Sequence, residues 1–208
     1  MQDENQNLKE LDTRKRDHKV YITGAAIEKV PYIKYKEIDP KHYDNLHVLS
    51  KTCLEIARDQ NDSNEVAVVY SLDCDNLIGT SEEYVGFTLG SEHEVDPAGS
   101  VVSYHILRTT LSCAVVCLHN HPNLSKFSLN DVKFFLKNDN VKLMTAITNL
   151  GSISYLVRTD KYNYLKAVDL YNEAVSISTK SGDLKNLQAA ADYFLNNCFK
   201  VGIIYEDR

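Results

Sequence analysis

The chain has no tryptophan, no Cys-x-x-Cys pair, no internal repeat and no low-complexity segment. It lacks any apolar run near the roughly 20 residues that a membrane helix needs, so no membrane association is expected. Its N-terminus is polar and acidic, without the apolar stretch of a secretory signal, which makes the cytoplasm the default location. Positive charge is also scarce. The net charge of −6 leaves no basic footprint for direct nucleic-acid binding, and the one basic cluster, Arg14-Lys15-Arg16, reads as a solvated tail. The cysteines Cys53, Cys74, Cys113, Cys117 and Cys198 are odd in number, which argues against a disulfide framework. Three fall inside apolar patterns, where a free thiol packs as a small hydrophobe. Cys113 and Cys117 sit on an expected strand, where they differ little from Ala or Val, so no second metal site is expected there.

What is present is enough for a core. The hydrophobic fraction is 43% over 208 residues, which allows one domain with extensions. Residues 1 to about 18 are charged and read as a tail. Lys19–Thr23 and Val30–Tyr35 read as two short strands around Gly24-Ala25-Ala26. Asp39-Pro40 supplies an N-cap and a first-turn proline, and Tyr43, Leu46, Leu49, Cys53 and Ile56 form a stripe that predicts a helix over 40–60. A strand is expected over 65–72, others near 77–79 and 83–89, and a helix from Asp96-Pro97 to about Ser112. An apolar strand follows over 113–119, then a helix over 128–139. A hairpin is expected over 141–158, turning at Asn149-Leu150-Gly151. Helical spacing over 161–178 and 184–199, interrupted by Ser181-Gly182-Asp183, predicts a C-terminal helical hairpin, either packed on the core or serving as a docking surface. The 13 tyrosines suit half-buried or interface positions. The sum is an α/β or α+β sandwich: a mixed sheet flanked by helices. The organisation is a tail with short strands (1–38), a core (39–160) and a helical extension (161–208).

The chemistry concentrates at His119-Asn120-His121-Pro122 and Ser128-Leu129-Asn130-Asp131. Strand side chains alternate, so His119 and His121 share a face. Ser-x-x-Asp is a helix-start signature that places Asp131 in the first turn, facing back to the strand end. Two imidazoles and a carboxylate suit Zn²⁺, and three protein ligands leave a fourth position for water, the pattern of a catalytic site. The residues point to a metal-dependent hydrolase.

His119-x-His121-Pro122…Ser128-x-x-Asp131 resembles the JAMM motif of the JAB/MPN metalloproteases, and the His-Asn-His-Pro form is similar to the RadC-like bacterial branch. The likeness covers residues from about 40 to about 160. It departs in the loop between Pro122 and Ser128, which holds five residues where the family commonly has six. That loop also lacks the Gly and Pro of RadC-like proteins. The resemblance implies a cytidine-deaminase-like sandwich with zinc held by His119, His121 and Asp131. It implies a glutamate at a strand start as general acid and base, and Glu65 fits that place. Glu92 and Glu94, nearer the motif in sequence, are the alternatives, and with Glu82 and Glu83 they read more simply as solvated charges in a loop or edge strand. Ser128 would hydrogen-bond the developing oxyanion, worth about 3 kcal/mol in comparable sites, or serve only as a helix cap. The implied activity is peptidase or isopeptidase, with a ubiquitin-like protein or a peptide as substrate. The other readings are a RadC-like module of undefined activity linked to DNA or mobile-element biology, and a non-catalytic interaction platform.

Overall fold

A computed structural model describes residues 19–73, 85–111, 113–123, 125–179 and 184–208. The first helix is α1 (Gly24–Glu28). A 3-10 turn (Pro40–His42) leads into α2 (Tyr43–Gln60). Then come β1 (Val66–Ser71), β2 (Val85–Leu89), α3 (Val101–Thr109), β3 (Val115–His121), α4 (Leu129–Lys137), β4 (Val141–Thr148) and β5 (Ile153–Arg158). The chain closes with α5 (Tyr164–Thr179), α6 (Leu184–Asn197), a 3-10 turn (Cys198–Val201) and β6 (Ile203–Asp207). The fold is mixed α+β. Its sheet runs β2-β1-β3-β4-β5-β6, antiparallel except between β3 and β4. The parallel pair exists because α4 carries the chain across the sheet, as parallel neighbours require. No helix among the described residues is long and apolar enough to cross a membrane.

The central strands are buried on both faces, so they read as continuous apolar runs rather than alternating ones. Alternation still sorts their side chains. Val66, Val68, Tyr70, Val116 and Leu118 meet Leu46, Leu49, Cys53 and Leu54 of α2 in one core. Val69, Val115 and Cys117 meet Ile106 of α3 and Val132 and Phe135 of α4, with Ala167 and Phe194 from α5 and α6, in the other. His119 has the parity of Cys117, so it emerges on this second face.

Several expectations hold. Asp39 caps the turn before α2 by accepting from Lys41 N–H at 3.0 Å. The 141–158 hairpin forms, and Gly151 takes φ +93° at its turn, where a Cβ would collide with the Ala26 carbonyl. Others need correction. The expected strands flanking residues 24–26 are absent: Lys19–Thr23 and Val30–Tyr35 are irregular, and Gly24–Glu28 is helical because Thr23 Oγ1 accepts from Ala26 N–H. Asp96-Pro97 starts a turn, with Asp96 Oδ1 accepting from Ala98 N–H; Ser100 caps α3 instead. The histidine strand continues through His121. The C-terminal segment is not all helix. Beyond the α5–α6 pair it returns to the sheet as β6, which pairs with β5. Residues 19–38 also contribute Ile22, Ile27, Val30, Ile33, Tyr35 and Ile38 to the main core. The expected tail over 1–18, the strand near 77–79 and the turn at Ser181-Gly182-Asp183 lie outside the described residues.

Candidate metal centre

His119 and His121 occupy the end of β3, both buried, with Asp131 partly buried in the first turn of α4. The two Nε2 atoms are 2.9 Å apart. Asp131 Oδ1 lies 3.4 Å from His119 Nε2, and Oδ2 lies 3.6 Å from His121 Nε2. These three residues could hold a metal ion, since one ligand atom from each lies within 4.8 Å of the others. A four-coordinate zinc with bonds of about 2.0–2.1 Å spaces its donors about 3.3 Å apart, and the nearest approaches, made to His119 by Oδ1 and to His121 by Oδ2, lie around that value.

The ring tautomers point the same way. His121 Nδ1 lies 3.0 Å from the Ser125 carbonyl, which fixes the proton on Nδ1 and turns the Nε2 lone pair inward. His119 Nδ1 is buried and faces the Thr145 backbone without a hydrogen bond of standard geometry. Were both rings protonated only on Nδ1, two lone pairs would oppose each other at 2.9 Å beside a carboxylate. Either a cation sits among them, or His119 carries its proton on Nε2 and donates to His121 Nε2. Burial lowers the His119 pKa, but Asp131 and Glu65 outweigh it and raise it overall. Burial and the charge on His119 lower His121. Burial pushes Asp131 upward, yet the two imidazoles and Ser128 hold it well below the usual carboxylate range.

Ser128 and Asp131 form a capping box. Ser128 N–H and Oγ–H both donate to Asp131 Oδ2 at 2.7 Å, and Ser128 Oγ accepts from Asp131 N–H at 3.2 Å. The cap engages Oδ2, which also faces His121, and leaves Oδ1, the oxygen beside His119, outside the cap. Ser128's one hydroxyl proton is thereby committed to Asp131. An oxyanion role requires that proton to swing away from the carboxylate.

Glu65 immediately precedes β1 and is buried. It has the parity of Ala67, which lies opposite His119 in the β1–β3 register, so Glu65 and both histidines share a face. Burial pushes its carboxyl up to about 7, the charges of Asp131 and Glu94 add to this, and His119 opposes it. Glu94 is exposed in the turn beside it, where Glu94 O accepts from Ser91 N–H and Ser91 O accepts from Glu65 N–H. Glu92, half-buried on that turn, is close enough to Lys19 to raise its pKa. Of the three glutamates, only Glu65 is buried and coupled to both His119 and Asp131. Glu82 and Glu83 lie outside the described residues.

Three supports were not foreseen. Phe127 is fully buried, its ring 6.2 Å from His119 and 6.4 Å from Tyr205 of β6. An aromatic in a short loop of mostly polar residues was the available signal for such an anchor. Lys126 pairs with Asp207, tying the same loop to β6. Arg158, 1% exposed at the end of β5, donates to the carbonyls of Phe135, Asn138 and Asp139 and stacks on Phe135 and Tyr162. It neutralises the negative end of the helix that carries Asp131. Nothing local in the sequence marks it.

The chain matches no protein-family model, no curated protein and no solved structure.

Proposed function

We propose that the chain is a zinc-dependent hydrolase of amide bonds, a JAMM-type peptidase or isopeptidase on a JAB/MPN-like core. Its substrate is a ubiquitin-like protein or a peptide. The observation that carries this reading is the convergence of His119 Nε2, His121 Nε2 and the Asp131 carboxylate, with a buried glutamate on the same face. Zinc bound there supplies Lewis acidity, which brings the pKa of a water from about 15.7 toward about 7.

The chain's residues do the rest. His119, His121 and Asp131 offer two neutral imidazoles and one carboxylate, whose net charge of −1 suits a divalent cation. Ser125 and Ser128 hold His121 and Asp131 in orientation. Glu65, with a carboxyl near pH 7, takes a proton from the attacking water at Oε and delivers it to the departing amine nitrogen, the pKa match that proton transfer in both directions needs. Phe127 keeps bulk water from the inner side of His119.

Two measurements test the reading together. Protein purified without chelator should carry one zinc per chain, and a His119→Ala/His121→Ala variant should carry none. The wild type should cleave a ubiquitin-like fusion or a peptide, stop in chelator and recover with added zinc. A full zinc complement in the double variant, or cleavage that survives chelation, overturns it.

A further inference from the structure

Between the two histidines stands Asn120, whose side chain is fully buried on the opposite face of β3. The β1–β3 ladder stops at Ala67–His119. Continued, that register would set Glu65 opposite His121. Instead Val66 N–H donates to Asn120 Oδ1 at 2.7 Å, a side-chain carbonyl standing where a strand carbonyl would. Asn120 Nδ2 donates to the Asn64 carbonyl at 3.1 Å and to Asn149 Oδ1 at 2.8 Å. Both residues flanking Glu65 are thus bound by one carboxamide. The Cys53 thiol also approaches Oδ1 at 4.0 Å, so the group's donors and acceptor are all engaged.

Asn149 extends the brace. Its Nδ2 donates to the carbonyls of Val20 at 2.7 Å and Ser63 at 2.9 Å, and its N–H donates to the His121 carbonyl at 3.1 Å. The turn before Glu65 takes left-handed backbone at Asp62 (φ 49°) and Ser63 (φ 59°), so it needs outside support to stay in place. Asn61 Nδ2 and residues 90–91 hold the Glu65 backbone on the α2 and β2 side, and the carboxamides at the ends of β3 and β4 supply the support on the histidine side.

We propose that Asn120 is the positioning residue of Glu65: its carboxamide bridges the start of β1 to the histidine end of β3 and sets how far the Glu65 carboxylate stands from His119, His121 and Asp131. The task given to Glu65 rests on the hydrolase reading; its placement by Asn120 does not. Asn120 itself faces away from the triad and touches no reacting atom. It acts through the backbone of residues 64 and 66.

Two variants test this, with amide hydrogen exchange at Val66, zinc content, crystal structures and steady-state kinetics as readouts. Asn120→Ala removes acceptor and donors. Val66 N–H should lose its protection, zinc should stay at one per chain, and the carboxylate of Glu65 should move from its place beside His119. Turnover should fall about 100-fold at nearly unchanged KM, the cost of a misplacement of about 1 Å. Asn120→Asp, protonated because a carboxyl buried there has its pKa raised, keeps the acceptor for Val66 and one donor toward the Asn64 carbonyl in a side chain of the same shape. It should retain Val66 protection and recover part of the turnover, which keeps the proposal testable if the alanine variant fails to fold. Glu65 unmoved in the crystal structure of either folded variant that has lost Val66 protection overturns the proposal. So does loss of that protection with kcat unchanged, or an aspartate variant no better than alanine. If the wild type hydrolyses nothing, the hydrolase reading fails, and the exchange and crystallographic results still decide the placement.

Discussion

Replacing Glu65 with glutamine should stabilise the metal-free protein, and the gain should grow with pH. Burial raises the Glu65 carboxyl from 4.5 to about 7. At about 1.36 kcal/mol per pH unit, keeping that carboxylate ionised inside the fold costs about 2–4 kcal/mol. Below pH 4.5 the group is protonated in both folded and unfolded chains and costs nothing. Between 4.5 and about 7 the folded state binds the proton more tightly, so stability declines as pH rises. Above 7 the cost is fully present. Glutamine has the same shape and does not ionise, so the stability difference between variant and wild type should be flat below pH 4.5. It should then rise through the interval and level off near pH 8. Any cost of burying the amide shifts the whole curve without changing its slope. Urea unfolding of both proteins in chelator at five or six pH values measures it. A difference that stays constant within about 0.5 kcal/mol from pH 4.5 to 8 would refute the argument that Glu65 is a buried, unneutralised carboxylate. Zinc beside the carboxylate favours its ionised form, so the metal-loaded pair should show a shallower slope.

Ser128→Ala should weaken zinc binding about 10–100-fold in a chelator-competition titration, as loss of a group that orients a ligand does, and lower stability by about 1 kcal/mol as a lost cap. Unchanged affinity with kcat alone reduced would move Ser128 to the substrate instead. Arg158→Met should destabilise by about 2–4 kcal/mol in a denaturant melt, because carbonyls at the end of α4 lose a charged donor; a change under 0.5 kcal/mol would mean that solvent replaces it freely. Zinc affinity should drop as pH falls, since both imidazoles must be neutral to bind and the charges of Asp131 and Glu65 raise the His119 pKa; chelator-competition titrations from pH 5 to 8 measure it, and an affinity flat over that range would refute ligation by the histidines.

The three residues of the candidate metal centre were legible because they obey local rules. His119 and His121 share a face by strand alternation, and Asp131 follows a capping signature, so short-range geometry alone places all three. Glu65 was legible only through the family resemblance, since a glutamate before an apolar strand carries no signal of its own. The misreadings have the same origin. Val20-Tyr21-Ile22-Thr23 has strand composition, yet no strand forms there. Val20 N–H donates to the Pro122 carbonyl and its carbonyl accepts from Asn149, partners far away in the chain. Ile203–Asp207 has five residues and a helical preamble, and its strand character appears only through pairing with β5. Asn120 was visible as a letter within His-x-His. Its work depends on residues 64, 66 and 149, which no spacing rule connects.

The site is built in two halves that close at different cost. His119 and Asp131 are 12 residues apart along one strand–loop–helix unit, whereas Glu65 arrives from 54 residues upstream on β1. Chain-closure entropy grows with the logarithm of the loop, so bringing in Glu65 costs about 1.3 kcal/mol more than closing the ligand loop. During folding the ligand half can therefore assemble before β1 docks on β3. Metal added to the unfolded chain should speed collapse around β3 and α4, while the docking of β1 stays the slower, later step. A partly unfolded molecule with β1 detached would keep the His119–Asp131 half together and lack Glu65, so the hazard of an exposed, half-formed centre is confined to a species without Glu65 in place.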